Sequence, residues 1–329
     1  MKGECKVNIS VPALGTNLSA VGITLNGPQI HLPAPTRMEI VRSLDSPAAN
    51  ISVSFPIQRR PADFLSVRIL SGMNILFEGS VDEQNFSLSG TGGILTIEAR
   101  DRGAEPLDNE AKPQTLWGAN LTTMFSRLIR QYGFELRSTF PSRTLPEFTI
   151  TRGMSEWDAF TSFVTLLHGV KAHVSGRYVA IGRPAPGVPT VFSNTRKNAV
   201  LYSSLIHRRI PYRMISRIFL RDAEGQYSSF VRNPAAAPHG VSRTRYIIPP
   251  GEFEANPALD AKQRINRAQY NSDETILCCP GLYFALPGRA ASVEDTSFSQ
   301  QNQMIDTVRH LVTPGGIFTE FTLRSWLYY

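Results

Sequence analysis

Apolar and polar residues alternate along the opening third of the chain, the period of a half-buried strand. In RMEIVRSLDSPAANISVSF (37–55), Met38 and Ile40 open one strand with Val41 beside them. Ile51, Val53 and Phe55 share a face of the next, and Asp45, Ser46 and Pro47 supply the turn between. LSVRIL (65–70) and ILFEGSV (75–81) flank Ser71-Gly72-Met73-Asn74, which predicts a hairpin. Phe86 and Leu88 pair in the same way with Leu95 and Ile97 across Ser89-Gly90-Thr91-Gly92-Gly93. Turns this closely spaced predict an antiparallel barrel or sandwich.

The period then changes. Leu121, Met124, Phe125, Leu128 and Tyr132 fall on one face of a helix over 120–133, with Asn120 as N-cap and Gly133 as stop. A second helix is predicted in SEWDAFTSFVTLLHG. Ser155 and Asp158 have the spacing of a capping box, Trp157, Phe160, Val164 and Leu167 form the buried stripe, and Gly169 ends it. VKAHVSGRYVAIG reads as a hairpin around Ser175-Gly176, and RPAPGVP (183–189) as the exit from a small α/β domain. Beyond it, alternation returns in RMISRIFLR (213–221) and RYII (245–248), with the loop NPAAAPHG (233–240) between them. Ala261, Ile265 and Ala268 suggest a helix over 257–270, and short strands follow to the end. One echo joins the two β regions. Gly92-Gly93-Ile94-Leu95-Thr96 opens the last strand of the first, Gly315-Gly316-Ile317-Phe318-Thr319 opens the last strand of the second, and each runs on to an arginine, Arg100 or Arg324. A β module that occurs twice accounts for this.

Charge adds a second pattern. The chain carries a net +7, yet residues 196–267 alone hold thirteen Lys/Arg against five Asp/Glu. On a strand over 213–221, Arg213, Arg217 and Arg221 share a face with Ile215 and Phe219. That face suits a phosphate backbone or a neighbouring protein's carboxylates, and the protein contact is the preferred reading. Hydrophobic residues at 42% allow real cores, and charged residues at 19% argue against general disorder. Cys5, Cys278 and Cys279 make no disulfide framework, and the vicinal pair reads as small strand residues in a reduced protein. The start, MKGECKVNIS, has no continuous apolar stretch, so no signal peptide is expected. No run approaches the roughly 20 apolar residues of a membrane span.

Candidate chemistry is sparse. Gly90-Thr91-Gly92-Gly93 leads into a strand and cannot aim a helix N-terminus at phosphate. His168 and His173 are the only close histidines, and no third ligand stands with them. Glu98, Asp101, Glu105 and Asp108 could be read as acid–base carboxylates. Their interleaving with Arg100 and Arg102 is instead the pattern of a solvated or subunit-facing edge. Neither enzymatic activity, cofactor nor metal is expected. The candidate protein-interface residues are Arg100, Asp101, Arg102, Arg213, Arg217, Arg221 and the aromatic end Trp326, Tyr328 and Tyr329. That end serves either as a partner anchor or as an ordinary closing strand.

Taken in order, MEIVRSLDSPAANISVSFP, VRILSGMNILFEGSVDEQNFSLSGTGGILTIEARDRGAEPLDNEA, TLWGANLTTMFSRLIRQYGFELR, FTITRGMSEWDAFTSFVTLLHGVKAHVSGRYVAIGRP and the closing GLYFALPGRAASVED with MIDTVRHLVTPGGIFTEFTLR resemble a family. It is the tailed-phage baseplate or tail hub group, the Mu-like hub and "late control D" proteins, related to the hub of T-even phages. The resemblance spans roughly residues 36–325. It implies an α+β, mainly β chain with two tail-tube-like antiparallel β-barrel modules, at 1–112 and 188–329. A small α/β domain at 113–187 lies between them, and the second barrel carries an insertion at about 225–272. It further implies a homotrimer whose six modules make a pseudo-sixfold ring, joining a hexameric tail tube protein to a trimeric central spike protein around a channel for DNA. The tape measure and other baseplate proteins are further expected partners. The expected place is the virion, after synthesis in the bacterial cytoplasm, with no membrane involved. On this reading ARDRGAEPLD is a strand exit into the next domain. The rival readings are a nucleic-acid binder using the basic 196–267 segment and a carboxylate-dependent cell-wall hydrolase.

Overall fold

A computed structural model of the chain describes residues 13–14, 17–25, 27, 29–182, 189–222, 224–247 and 257–325. The alternating opening folds as read. β2 (Leu18–Thr24), β3 (Gln29–Leu32), β4 (Arg37–Ser43), β5 (Asn50–Ile57), β6 (Phe64–Ser71), β7 (Asn74–Ser89) and β8 (Gly92–Arg100) form an antiparallel array in the order β4-β5-β8-β7-β6-β2-β3. Ile40, Ile51, Val53, Phe55, Leu95 and Ile97 turn to one side and pack with Val67 and Ile69. Each such side chain contributes about 1.5–3 kcal/mol when fully buried. Ser54 and Thr96, opposite one another on the other face, join their hydroxyls at 3.1 Å. A short β1 (Ala13–Leu14) lies apart and pairs with β20 (Leu282–Tyr283).

The middle of the chain builds its own core. α1 (Glu105–Asp108) leads into β9 (Gln114–Asn120), α2 (Leu121–Leu128), β10 (Glu135–Ser138), β11 (Thr144–Ile150), α3 (Glu156–His168), β12 (Ala172–Ser175) and β13 (Tyr178–Ile181). Asn120 caps α2: its Oδ1 accepts from the Thr123 amide at 3.0 Å, while its own amide donates to Thr123 Oγ1 at 3.2 Å. The helix expected as far as 132 stops at Leu128. The chain tightens into a 3-10 turn over Arg130–Tyr132, and Gly133 ends it at φ 75°. Terminal carbonyls that lack an α-helical partner are commonly satisfied by such a turn. α3 starts on Ser155, whose Oγ accepts from the Asp158 amide at 3.0 Å. Phe125 meets Phe160 at 6.0 Å and Phe148 meets Phe163 at 5.3 Å, both edge to face.

The last third returns to the main sheet. β14 (Thr190–Phe192), β15 (Ser204–Arg209), β19 (Asp273–Pro280), β21 (Ala290–Glu294), β22 (Ser299–Thr313) and β23 (Gly316–Ser325) enclose Phe192, Leu277, Val293, Ile305, Val308 and Phe321. β22 and β23 are long, where short strands were expected. Between β15 and β19 sits a separate sheet of β16 (Arg217–Leu220), β17 (Ser229–Arg232) and β18 (Thr244–Ile247), in the order β17-β16-β18. α4 (Pro257–Tyr270) packs Ala261 and Ile265 against its Ile218 and Ile247. Three expectations change here. Residues 213–221 are not one strand, because Pro211–Arg213 forms a 3-10 turn that Pro211 initiates. Arg213 therefore does not share a strand face with Arg217. The inserted sheet includes β16 and so begins at Arg217, ahead of the insertion expected from about 225. The loop NPAAAPHG is a 3-10 helix over Pro234–His239, capped by Asn233 Oδ1 on the Ala235 amide at 3.1 Å. The exit segment at 183–188, most of RPAPGVP, lies outside the described residues.

The repeat hinted at in sequence is present in the ladders. β5-β8-β7-β6 and β19-β23-β22-β21 have the same order and direction, and the β4–β5 and β15–β19 pairs match as well. Gly92 at φ 131° and Gly316 at φ 130° occupy the same turn position, opposite Ser89 and Thr313. The pentapeptide echo is thus out of step by one, since sequence alone set Gly92 against Gly315. Eight residues on stand Arg100 and Arg324. Each faces a bulge whose extra residue is an aspartate, Asp82 between Val81 and Glu83 and Asp306 between Ile305 and Thr307. Each arginine binds that aspartate: Arg100 Nε donates to Asp82 at 2.8 Å and Arg324 Nε to Asp306 at 3.3 Å. Pro56 opposite Ile94 matches Pro280 opposite Phe318. A bulge bends its strand, and here one charge pair holds the bend in both modules.

The two pairs differ in burial. Arg324 has 15% of its side chain exposed and a second partner, Glu274, at 2.7 Å, whereas Arg100 is 34% exposed beside more exposed acids. Arg324→Ala strands two nearly buried carboxylates and is expected to lower stability by about 3–5 kcal/mol. Arg100→Ala is expected to cost about 1 kcal/mol or less. Urea unfolding of the two variants measures both, and equal losses would contradict the account.

Candidate functional site

The charged stretch after β8 is an elbow. Arg100 bridges two elements: Nε and Nη2 hold Asp82, and Nη1 and Nη2 hold Asp108 of α1 at 2.9 and 2.8 Å. Those hydrogen bonds hold its guanidinium well above the ordinary value. The Asp101 carboxylate turns inward and accepts from the amides of Gly103 at 3.0 Å and Ala49 at 3.1 Å. Burial pushes its pKa up, while those amides and Arg42 pull the other way. Gly103 is required by close approach, because a Cβ there would lie 2.0 Å from the Pro47 carbonyl oxygen. Arg102 donates to the Gly133 carbonyl at 3.4 Å and lies 6.0 Å from the centre of the Phe134 ring. Each of the three residues thus has a partner in this chain, fixing the strand exit to the middle domain. Glu98, Asp101, Glu105 and Asp108 do not converge on a common point: Asp101 faces amides, Asp108 faces Arg100, and Glu98 lies opposite Glu83.

A second feature is the seam between modules. β22 leaves its own module and pairs antiparallel with β4, from Thr307 opposite Ser43 to Val312 opposite Met38, so that 13 strands form one hydrogen-bonded sheet. Arg309 clamps it, with Nη2 on Glu39 and Nη1 on Glu320, both at 2.7 Å. Val312 and Ile317 pack into the first module's core. Behind the seam, His310 is fully buried and its Nε2 meets the Tyr283 carbonyl at 3.0 Å. Arg42 donates to the Leu76 carbonyl, and desolvation lowers its pKa.

The basic segment is spread over two sheets. His207 and Arg209 of β15 face Asp273, and Arg208 faces Glu274. Arg213 donates to the Asn271 carbonyl, Arg217 to Thr244 Oγ1 and Arg221 to the Gly225 carbonyl. On the inserted sheet Phe219, Phe230 and Tyr246 stand in one cross-strand row, with ring centres 5.3 and 5.5 Å apart. Tyr227 closes on Tyr246 at 5.1 Å. Arg217 and Arg232 lie near the rings of Phe219 and Phe230. Phe230 and Tyr246 are exposed, so this is a cationic aromatic face. Sequence reasoning found Phe219 and Arg217 but missed the other rings, because register joins strands that local alternation treats singly. Trp326, Tyr328, Tyr329 and Cys5 lie outside the described residues. Cys279 is a buried strand residue whose thiol burial pushes up. Among the described residues no three His, Cys, Asp or Glu side chains could hold a metal ion, and no helix is long and apolar enough to cross a membrane.

No family profile and no curated protein matches the chain. Solved structures do. A tail protein from Neisseria meningitidis MC58 superposes with a TM-score of 0.72 at 14% identity, covering 94% of this chain and 98% of that one. The 43 kDa tail protein of prophage MuSo2 from Shewanella oneidensis gives 0.76 at 13% identity, over 94% and 99%. The fold is that of these phage tail proteins. An E. coli component of the type VI secretion system, c3393, described as structurally similar to the T4 bacteriophage tail proteins gp27 and gp5, shares the fold too. Its TM-score is 0.59 at 8% identity, over 95% of this chain and 78% of that one. The fold class read from the sequence, α+β and mainly β, agrees with these tail proteins, and the chain's strands form large antiparallel sheets.

The seam has a pH signature. Burial, with Arg42 nearby, lowers the His310 pKa from 6.5 to about 4. A depressed folded pKa means the unfolded chain takes up the proton first as the pH falls. The stability His310 contributes is therefore complete above about pH 6.5 and lost as the pH falls towards about 4, on the order of 2–3 kcal/mol. His173, also depressed to about 4 by burial, acts in the same direction. His310→Gln is expected to flatten part of the slope between about pH 7 and about pH 5 in urea-midpoint measurements. An unchanged slope would remove His310 from the acid response.

Proposed function

We propose that this chain is an architectural hub of a phage tail or a related injection particle. Three copies close into a ring of six similar modules, matching a sixfold tube on one side and a threefold spike on the other, with a channel for DNA. The observation that carries this reading is the duplicated module: β5-β8-β7-β6 recurs as β19-β23-β22-β21, with the Asp-bulge and its arginine in both. Two similar modules per chain convert threefold into near-sixfold symmetry, which cyclic closure then fixes. The likeness to tail proteins of Neisseria and of prophage MuSo2 supports it, as does that to a secretion protein described beside gp27 and gp5. The partners are the tail tube protein, the spike, and the tape measure and other baseplate proteins. The work is mechanical, with no residue required to do chemistry. Arg213, Arg217 and Arg221 belong to protein contacts in this reading.

The cationic aromatic face of the inserted sheet favours a second reading, since exposed rings flanked by arginines stack on single-stranded bases. Two measurements separate the readings. Light scattering on the purified chain is expected to give a mass near three times 36.5 kDa; a stable monomer or dimer sinks the hub. Anisotropy with a labelled single-stranded oligonucleotide is expected to show no binding at about 0.15 M salt. Salt-dependent, sub-micromolar affinity would favour the nucleic-acid reading instead.

A further inference from the structure

The seam between the modules is built by β22 and β4, and each has a counterpart. β7 corresponds to β22 through the matched hairpins, and β15 corresponds to β4 through their equivalent pairing with β19 and β5. Inside the chain those counterparts have no seam. β7 pairs with β6 only up to Ser80; beyond it no backbone ladder runs along the edge away from β8, where only the Gln84 side chain reaches across, to the Phe64 amide and the Ala62 carbonyl. β15 pairs only with β19 among the described residues. An open strand edge is an unsatisfied row of amides and carbonyls that proteins normally cover.

We infer that residues 83–88 of β7 pair antiparallel with residues 205–210 of a second copy, in the register of the in-chain seam. This rests on the ring reading above. Transferring the pairing of Thr307 with Ser43 through Val312 with Met38 sets Glu83 against Ile210, Phe86 against His207, Ser87 against Ile206 and Leu88 against Leu205.

Three observations choose this occupant. Leu88 is 70% exposed, whereas Val312, its counterpart inside the chain, is 8% exposed and packed on the neighbouring module's core. Ile206, on the other edge, is 58% exposed. The charges are also complementary. Glu83 lies opposite Glu98 on β8, and among the described residues neither has an ion pair. Two like charges opposite one another are destabilising. The transferred register brings Arg208 of the second copy to the diagonal position beside Glu83. This is the three-cornered arrangement of Arg309 with Glu39 and Glu320 in the existing seam, with the arginine on the other strand. Finally, the contact is head to tail, so each copy offers one β7 edge and one β15 edge, and the pairing can close only as a ring.

Cysteine pairing tests it on the full chain. Ser87→Cys with Ile206→Cys places two thiols directly opposite across the contact. Ser87→Cys with His207→Cys is one residue out of register and points the second thiol to the other face. Under mild oxidation the first pair is expected to give linked dimers and trimers on a non-reducing gel and nothing larger. The second pair, each single variant and the unmodified chain are expected to stay at one-chain mass. A trimer by light scattering with no in-register link, or with equal linking of both pairs, overturns the strand contact and leaves the ring intact. A monomer with no links overturns both. Leu88→Glu, at an exposed position, is expected to leave the chain's melting temperature unchanged while weakening assembly by about tenfold or more, as loss of a buried apolar anchor does. Unchanged assembly would also overturn the contact.

Discussion

The ladder between β22 and β4 is the constraint on which the rest hangs. It brings Val312 beside Met38 and makes one sheet of two modules separated by most of the chain. Closing so long a loop costs little more than closing a short one, because the entropy grows only with the logarithm of length. Once closed, the second module supplies part of the first's wall: Val312, Ile317 and Leu282 complete the first core. The middle domain and the insertion each join this sheet at an elbow, and they also make contacts away from it: Gln263 of α4 donates to the Thr165 carbonyl at 3.5 Å, and Lys171 lies 3.7 Å from Asp45. Arg100, Asp101 and Gly103 make one elbow; the Pro211 turn and Asn271 make the other, tied by Arg213 on the Asn271 carbonyl.

The sequence was legible where one strand or helix decides its own face. Ile51, Val53 and Phe55 alternate and are buried; Asn120 and Ser155 cap helices as their side-chain chemistry requires. It was least legible where a face is assembled from several strands. Phe230 and Tyr246 join Phe219 only through register, and nothing in RYII or SFVR signals the row. The 213–221 run misled because alternation continues through Met214 and Ile215 although Pro211 has already set a turn. The glycine echo marked the right hairpins and the wrong alignment. Identity of residues set Gly92 against Gly315, whereas backbone conformation, the same positive φ at Gly92 and Gly316, sets the true correspondence. The aspartate bulges were invisible for a related reason: a bulge is a relation between two strands, and Asp82 and Asp306 look like ordinary polar positions in each.

Divergence between the copies follows from where each one sits. The second module's arginine, Arg324, is enclosed by Glu274, Asp306 and Tyr270, whose hydroxyl also bonds Asp306. Tyr270, the last residue of α4, covers that corner. The first module's arginine, Arg100, meets Asp108 at the mouth of the middle domain and stays partly wet. A charge pair under cover needs every lone pair satisfied, whereas a wet one tolerates looser geometry. Arg100 makes four hydrogen bonds to two carboxylates and Arg324 three, to two carboxylates and the Tyr270 carbonyl, so the two sites differ in cover and not in the number of partners each carboxylate pair supplies.

The same reasoning explains why the two hairpin tips carry different residues. At the tip of β22 the chain already has a neighbour, and Val312 and His310 are buried, with neutral imidazole favoured by desolvation. At the tip of β7 the corresponding residues are Leu88 and Phe86. Glu83 begins the span that would be covered, opposite Glu98, and both carboxylates lie where a cation can approach from outside. An edge meant to remain in water would carry charge at its apolar positions as a guard against pairing. β7 instead keeps a large aliphatic side chain there, in the alternation that a buried strand requires.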